Sequence, residues 1–136
     1  AFRLGVARLQ AQAEARLNLP GASHAERLEA WLRAGFTPEA LEPSLLRMRI
    51  DLWAAARGNP VLAEVEAGLN AALRARTEEL LSRLADPWKA DRIPAVADLI
   101  MAALDGLWLD WARRGDAEAV KATIDGCVTF AKLRLG

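Results

Sequence analysis

The 136-residue sequence predicts an all-α fold, a six-helix orthogonal and antiparallel bundle that forms a single domain over residues 1–136. Ala, Leu, Arg and Glu dominate the composition, β-branched residues are sparse and tyrosine is absent, which favours helix. Apolar residues recur at three- and four-residue steps along most of the chain. Capping residues, prolines and glycines separate these periodic stretches at typical helix boundaries.

The charge pattern argues against several classes of protein. The 18 basic residues balance the 18 acidic ones, and the basic residues are dispersed. Nucleic-acid binders usually carry a clustered basic face, so these residues are not expected to bind DNA themselves. Apolar runs are short and no signal peptide is evident, which predicts a cytoplasmic protein without membrane contact. The single cysteine, Cys127, leaves no internal disulfide and fits a reducing compartment.

Two helices are predicted in the first third of the chain. The first covers residues 2–18 and begins without a capping residue, so we expect the natural chain to continue upstream or to have been cut here. Asn18-Leu19-Pro20-Gly21 ends this helix. Ser23 and Glu26 form a capping box for a second helix over residues 23–34, which stops at Gly35.

Two further helices are predicted in the middle of the chain, over residues 43–57 and 60–85. The first of them is apolar around most of its circumference, which predicts an internal helix. Asn59 suits the N-cap of the second and Pro60 its first helical position. One apolar stripe runs along this second helix through Leu62, Val65, Leu69, Leu73, Leu80 and Leu84.

The last two predicted helices, over residues 92–114 and 116–134, are separated by a short turn at Gly115. Asp91 is the expected N-cap of the first. Both helices are apolar over more of their surface than one core contact requires, which indicates a face that meets another chain. We therefore predict a dimerisation hairpin over residues 91–136 beside pocket-forming helices in residues 1–85. The expected interface residues are Leu107, Trp111, Val120, Ile124, Cys127, Val128 and Ala131.

Groups that could support catalysis are scarce. The only histidine, His24, lies in the first turn of a helix, where a surface or capping role is expected. Cys127 lies on an apolar stripe, which predicts a buried and inert thiol. The chain has no Glu-x-x-His pair for a di-iron site and no glycine-rich phosphate loop. We therefore expect neither an enzyme nor a metal or other cofactor.

A small-molecule pocket is the more promising site. Asp91, Asp98 and Asp105 are seven residues apart and share one side of a helix, either as a solvated stripe or with Asp105 pointing into a cavity. Tryptophan and methionine together make adaptable apolar walls, although plain core packing is the simpler role for each. The expected ligand-binding residues are Met48, Leu52, Trp53, Met101, Leu104, Asp105 and Trp108.

The segment Ala103-Leu104-Asp105-Gly106-Leu107-Trp108-Leu109, with Gly115-Asp116 and the helix behind it, resembles the C-terminal domain of TetR-family transcriptional regulators. The similarity is to the BetI-like subgroup, named for a choline-responsive repressor. Phe36-Thr37-Pro38-Glu39, Leu52-Trp53-Ala54-Ala55-Ala56 and Asn59-Pro60 are similar to the middle of that domain. The resemblance therefore covers nearly the whole chain.

This resemblance implies a homodimeric sensor domain in which the last two helices and their copies form a four-helix bundle. The preceding helices would enclose an inducer pocket. Operator DNA would be bound only by an N-terminal helix-turn-helix domain that is absent from this chain. The inducer would act by changing the spacing of the two DNA-reading heads. In the parent protein the domain would thus serve a transcriptional repressor.

Two questions stay open at this stage. The same apolar hairpin would suit a helical protein–protein interaction module without a ligand, and a fully packed interior around Met48 and Trp53 would favour that alternative. For the inducer, Trp108 or Trp53 near Asp105 could hold a quaternary ammonium by cation–π contact. A small apolar or amphipathic compound is preferred, because most of the expected wall residues are uncharged.

Overall fold

The structure, a computed structural model, describes residues 2–17 and 20–136, and the side chains of these residues except 2–6 and 16. The described residues form six α-helices and no strand, which confirms the predicted all-α class. The helices are α1 (Phe2–Leu17), α2 (His24–Arg33), α3 (Pro43–Ala56), α4 (Pro60–Leu84), α5 (Ile93–Arg114) and α6 (Ala117–Leu135). The boundaries predicted for α2–α6 are right to within a residue, whereas the predicted end of α1 at Asn18 lies outside the described residues. None of these helices is both long and apolar enough to cross a membrane.

Local capping explains several helix starts. The Ser23 hydroxyl accepts a hydrogen bond from the Glu26 amide at 3.1 Å, as the capping box predicts. The Glu26 carboxylate accepts from the Ser23 hydroxyl rather than from its amide. Asn59 caps α4 by accepting from the amides of residues 61 and 62, and Pro60 takes the first helical position. These contacts satisfy amides that have no partner within the helix.

The predicted N-cap of α5 at Asp91 is wrong. A 3-10 helix over Pro87–Arg92 precedes α5 directly, and Arg92 is the residue before its first turn. The backbone at Asp91 is therefore already helical, so the Asp91 side chain does not cap the start of α5. Pro94 lies in the first turn of α5.

The core lies where α2, α4, α5 and α6 meet. Its fully enclosed side chains come from all four helices: Leu28, Leu81, Ile100, Ile124 and Leu135 each have 0% of their surface exposed. Burial of apolar side chains at helical spacing is the main source of stability for such helices. α5 and α6 pack against each other as an antiparallel hairpin whose turn has Gly115 in the left-handed region, at φ 56°.

The prediction that α3 is an internal helix is wrong. Leu46 is its only buried residue, and Met48, Ala54 and Ala55 are exposed. α3 packs mainly on α4 and leaves its other side uncovered. Several of its apolar residues are alanines, which favour helix formation but bury little apolar surface. The helix can therefore be apolar around most of its circumference and still be exposed to solvent.

The residues expected at a dimer interface lie mostly inside the chain itself. Leu107, Val120, Ile124, Cys127 and Ala131 belong to the protomer core, and Trp111 and Val128 are partly buried against it. The stripe of α6 that carries four of these residues faces α2, α4 and α5. These five side chains are already buried against other helices of the same chain, so they are not available to a second chain.

A different side of the hairpin faces outward. Small and apolar residues follow one another there at alternating steps of three and four, the spacing of helix–helix seams. A Cβ atom added at Gly106 or Gly126 would meet nothing within 4 Å. We call this surface the outer face; its exposed residues are Leu99, Ala102, Gly106 and Leu109 on α5 and Ala122, Gly126, Thr129 and Leu133 on α6.

Candidate ligand-binding cavity

A cavity of about 170 Å³ lies between α1, α2, α3, α4 and α5. Its walls are mainly apolar, with four aromatic side chains and six polar ones, Gln10 among them. The volume of the cavity is close to that of engineered apolar cavities of about 150 Å³ that bind benzene. The aromatic residues are Trp31, Phe36, Trp53 and Trp108. The other polar residues are Arg49, Glu66, Asn70, Thr77 and Asp105.

The structure places six of the seven expected ligand-binding residues in the cavity wall, and their role in binding stays a prediction. The six are Leu52, Trp53, Met101, Leu104, Asp105 and Trp108. Met48 is not in the wall, and 38% of its surface is exposed. On α3 the cavity side is instead formed by Leu45, Arg49, Leu52 and Trp53, which share one helix face at steps of three and four.

Trp108 connects the cavity to the rest of the fold. Only 3% of its surface is exposed, and its indole Nε1 donates a hydrogen bond to the Gly35 carbonyl at 3.1 Å. Its ring lies 6.2 Å from that of Trp53, centroid to centroid, at 55°. Tilted aromatic pairs at this separation attract each other, and the bonded indole satisfies the only polar atom of the ring. The two tryptophans therefore form a fixed part of the wall.

Trp31 is held by a second tryptophan hydrogen bond. Its Nε1 donates to the Thr77 hydroxyl at 3.1 Å, and that hydroxyl donates to the Leu73 carbonyl at 2.8 Å. Thr77 is one of the few buried polar residues, with 1% of its surface exposed. Because each polar atom has a partner, α2 and α4 can close this end of the cavity without an unsatisfied group.

Arg49 brings a positive charge into the cavity. Its guanidinium carbon lies 3.3 Å from the centroid of the Trp108 ring, a cation–π contact. Burial lowers the pKa of Arg49 to about 10, and the nearby Asp105 carboxylate opposes this change. The side chain is therefore still a cation at neutral pH, although its solvation is reduced.

Asp105 faces the cavity, whereas the other two aspartates of the predicted stripe do not. Asp98 forms an ion pair with Arg74 on the outside of the bundle, and Asp91 is exposed in the 3-10 helix. Asp105 is exposed to solvent as a residue, yet the partial burial of its carboxyl group against the cavity wall raises its pKa above 3.8. The charge of Arg49 lowers that pKa and the charge of Glu66 raises it. Asp105 thus lines the cavity and is also exposed to solvent, so its role in ligand binding stays a prediction.

One comparison with known proteins identifies the family. A model of the C-terminal domain of BetI-type transcriptional repressors matches residues 24–131, most of the chain. The chain belongs to this family. It is thus a TetR-type C-terminal domain, as the motif around Leu104-Asp105-Gly106 indicated. No curated protein and no solved structure gave a significant match.

Within this BetI-type domain, the remaining reactive groups are not assembled into a site. Across residues 2–17 and 20–136, no three His, Cys, Asp or Glu side chains are grouped so as to hold a metal ion. Cys127 is buried, and this burial raises the pKa of its thiol. His24 is exposed at the start of α2. The family to which the chain belongs is one of transcriptional repressors.

Sequence reasoning missed several wall residues of the BetI-type domain. Arg49 could have been found by following the helix face of Trp53 back by one turn, because residues four apart lie on the same side. Glu66 lies on the α4 stripe between Leu62 and Leu69, where the pattern of apolar residues is interrupted by a charge. Trp31 also lines the cavity. No sequence signal shows that its ring borders an empty space.

Removing the Asp105 charge is expected to stabilise the domain at neutral pH. Its pKa is higher in the folded state than the ordinary 3.8, so the ionised carboxylate favours the unfolded chain. D105N should therefore have a higher Tm than the unmodified domain near pH 7. The difference should shrink as the pH falls through the raised pKa towards 3.8 and both forms of the side chain become neutral.

The measurement is thermal unfolding by circular dichroism in steps from about pH 7 to about pH 4. D91N is the matched control, because Asp91 is exposed outside the cavity. A Tm difference for D105N that stays constant over this range would contradict the assignment of the effect to ionisation.

Proposed function

We propose that this chain is the effector-binding and homodimerisation domain of a TetR-like transcriptional repressor. In this proposal, an inducer in the cavity changes the operator affinity of an N-terminal helix-turn-helix domain in the parent protein. Family membership supports the repressor part. Since a repressor has to meet DNA, the predicted cytoplasmic location belongs to the same proposal.

The observation that carries the proposal is the double role of α5. Met101, Leu104, Asp105 and Trp108 on this helix line the cavity, and Leu99, Ala102, Gly106 and Leu109 on the same helix form part of the outer face. A ligand that changes the position of α5 therefore acts on both surfaces at once. Allosteric coupling requires one such element whose position both sites influence.

The outer face is the surface we propose for the homodimer. A two-fold interface must be complementary to itself, and two hairpins facing each other would make a four-helix bundle. Gly106 and Gly126 lie near the middle of their stripes, where an absent side chain allows the helices to approach closely. This proposal replaces the buried residues Val120, Ile124, Cys127 and Ala131 by exposed ones of the same two helices.

The cavity also supports ligand binding over the alternative of an interaction module without a ligand. That alternative requires a packed interior around Trp53, but Trp53 borders the cavity of about 170 Å³. Protein interiors contain few voids larger than a water molecule, so a space of this size with aromatic and polar walls suggests a binding site.

Filling the cavity is expected to abolish stabilisation by small molecules. Leu69 lines the cavity from α4, so the larger ring of L69W would occupy part of the space. A ligand present at about a hundred times its Kd raises the free energy of unfolding by about 2.7 kcal/mol. We expect such shifts for the unmodified domain with some members of a panel of single-ring compounds, and none of these shifts for L69W.

Thermal unfolding with and without each compound provides the measurement. V61W is the matched control, since Val61 lies on the same helix with 69% of its surface exposed and does not line the cavity. Shifts that survive in L69W would place the ligand elsewhere. A panel without effect on the unmodified domain would contradict the effector-binding role.

A further inference from the structure

The Arg49 guanidinium lacks a protein acceptor although it lies inside the cavity. It stacks on Trp108, and within residues 2–17 and 20–136 it forms no hydrogen bond and no ion pair shorter than 4.0 Å. Its nitrogens are not sealed from solvent, because among the described side chains Nε of Arg27 is the only buried nitrogen or oxygen without a hydrogen-bond partner. A guanidinium stacked on an aromatic ring keeps its N–H groups free along its edge. These donors are available to a molecule in the cavity.

Two carboxylates in the same wall also lack a cationic partner. Glu66 and Asp105 line the cavity, and neither forms an ion pair with a described residue. Arg49 and Asp105 influence each other only through space, at more than 4.0 Å. The wall therefore contains separate positive and negative groups that do not neutralise each other directly. All three groups keep contact with solvent, and each can accept a ligand group of opposite charge.

A ligand with a single charge would satisfy only one side of this wall. A purely cationic ligand would meet Arg49, which already covers the face of Trp108 that a quaternary ammonium would use for cation–π contact. A purely anionic ligand could pair with Arg49 but would be repelled by Glu66 and Asp105. A neutral apolar ligand would leave all three groups without partners.

We infer that the cavity binds a small bipolar molecule, with a carboxylate that pairs with Arg49 and an amine at its other end that meets Asp105 and Glu66. The inference rests on the proposed effector-binding function and names the class of effector. Arg binds carboxylates by two parallel N–H donors, which would fix the orientation of the molecule. The volume of about 170 Å³ restricts the body between the two groups to about one ring or a short chain.

Single-ring probes with different charges test this inference. The probes are benzyl alcohol, benzoate, benzylamine, and 3- and 4-(aminomethyl)benzoate, which offer two separations between amine and carboxylate. Isothermal titration calorimetry at neutral pH gives each Kd. We expect the better of the two bipolar probes to bind at least about tenfold more tightly than benzoate or benzylamine, which corresponds to about 1.4 kcal/mol.

Three variants assign the two ends of the probe. R49Q should remove the advantage of the bipolar probe over benzylamine, and D105N should reduce its advantage over benzoate. R47Q is the control, because Arg47 lies exposed on the same helix and outside the cavity wall, and it should leave every Kd unchanged. Circular dichroism of each variant confirms that it is folded before titration.

The outcomes separate this inference from the proposed function. If benzoate, benzylamine or benzyl alcohol binds as tightly as the bipolar probes, or if R49Q leaves the preference unchanged, the bipolar ligand is overturned while effector binding stands. If no probe binds at concentrations up to about 10 mM, any Kd is too weak for an effector. The bipolar ligand and the proposed effector-binding function are then both overturned.

Discussion

Replacing Ile124 by alanine is expected to lower the free energy of unfolding by about 2–5 kcal/mol. Ile124 has 0% of its surface exposed and lies in the core where α6 meets its neighbours. The truncation removes buried apolar surface and leaves a cavity that the surrounding helices cannot fully close. A change of this size is a large part of the roughly 5–15 kcal/mol that typically stabilises a domain.

Chemical denaturation followed by circular dichroism measures this loss. V61A is the control, because Val61 is exposed and its truncation should cost at most about 0.5 kcal/mol. Sedimentation equilibrium on the folded I124A protein should show self-association like that of the unmodified domain. Weaker self-association with unchanged stability would instead place Ile124 at an interface, as the sequence had suggested.

Replacing Gly126 by leucine is expected to have the opposite pattern, with weaker dimerisation and an intact protomer. The added side chain enters open space in the single chain, and leucine favours helix over glycine by about 0.5–1 kcal/mol. In the proposed four-helix bundle, the same side chain would be inserted at the seam twice, once from each protomer. At about 1–3 kcal/mol for each overpacked site, the dimer Kd should rise by about 30-fold or more.

Analytical ultracentrifugation over a range of concentrations measures this change. G68L is the matched control, because Gly68 lies within α4, away from the outer face, and its added Cβ also meets nothing within 4 Å. Equal dimer affinity for G126L and G68L would rule out the outer face as the contact surface.

The helices could be predicted from the sequence because their boundaries depend on local contacts. Ser23 and Asn59 cap their helices through amides two or three residues away, so neighbouring residues contain the necessary information. Asp91 was mispredicted because a 3-10 helix, which starts at Asp86-Pro87, occupies the residues directly before α5.

The candidate site could be predicted only in part, because periodicity shows which residues share a face but not what that face meets. The α5 residues of the cavity wall were identified since they follow one helix face near Trp108. The stripe through Ile124 was equally clear, but the three-dimensional arrangement of α2, α4 and α5 encloses it within the chain. Arg49 was overlooked because a charge on a helix is usually solvated, and only the fold places it on the Trp108 ring.

The distribution of the five tryptophans allows the cavity to be studied by tryptophan fluorescence. Trp31, Trp53 and Trp108 line it, whereas Trp88 in the 3-10 helix is 75% exposed and Trp111 lies outside the wall. Exchanging Trp88 for phenylalanine would remove the exposed indole and leave an emission spectrum dominated by the cavity. An effector bound in the cavity, as we propose, would contact these indoles, so a stopped-flow instrument could time its binding without an attached dye.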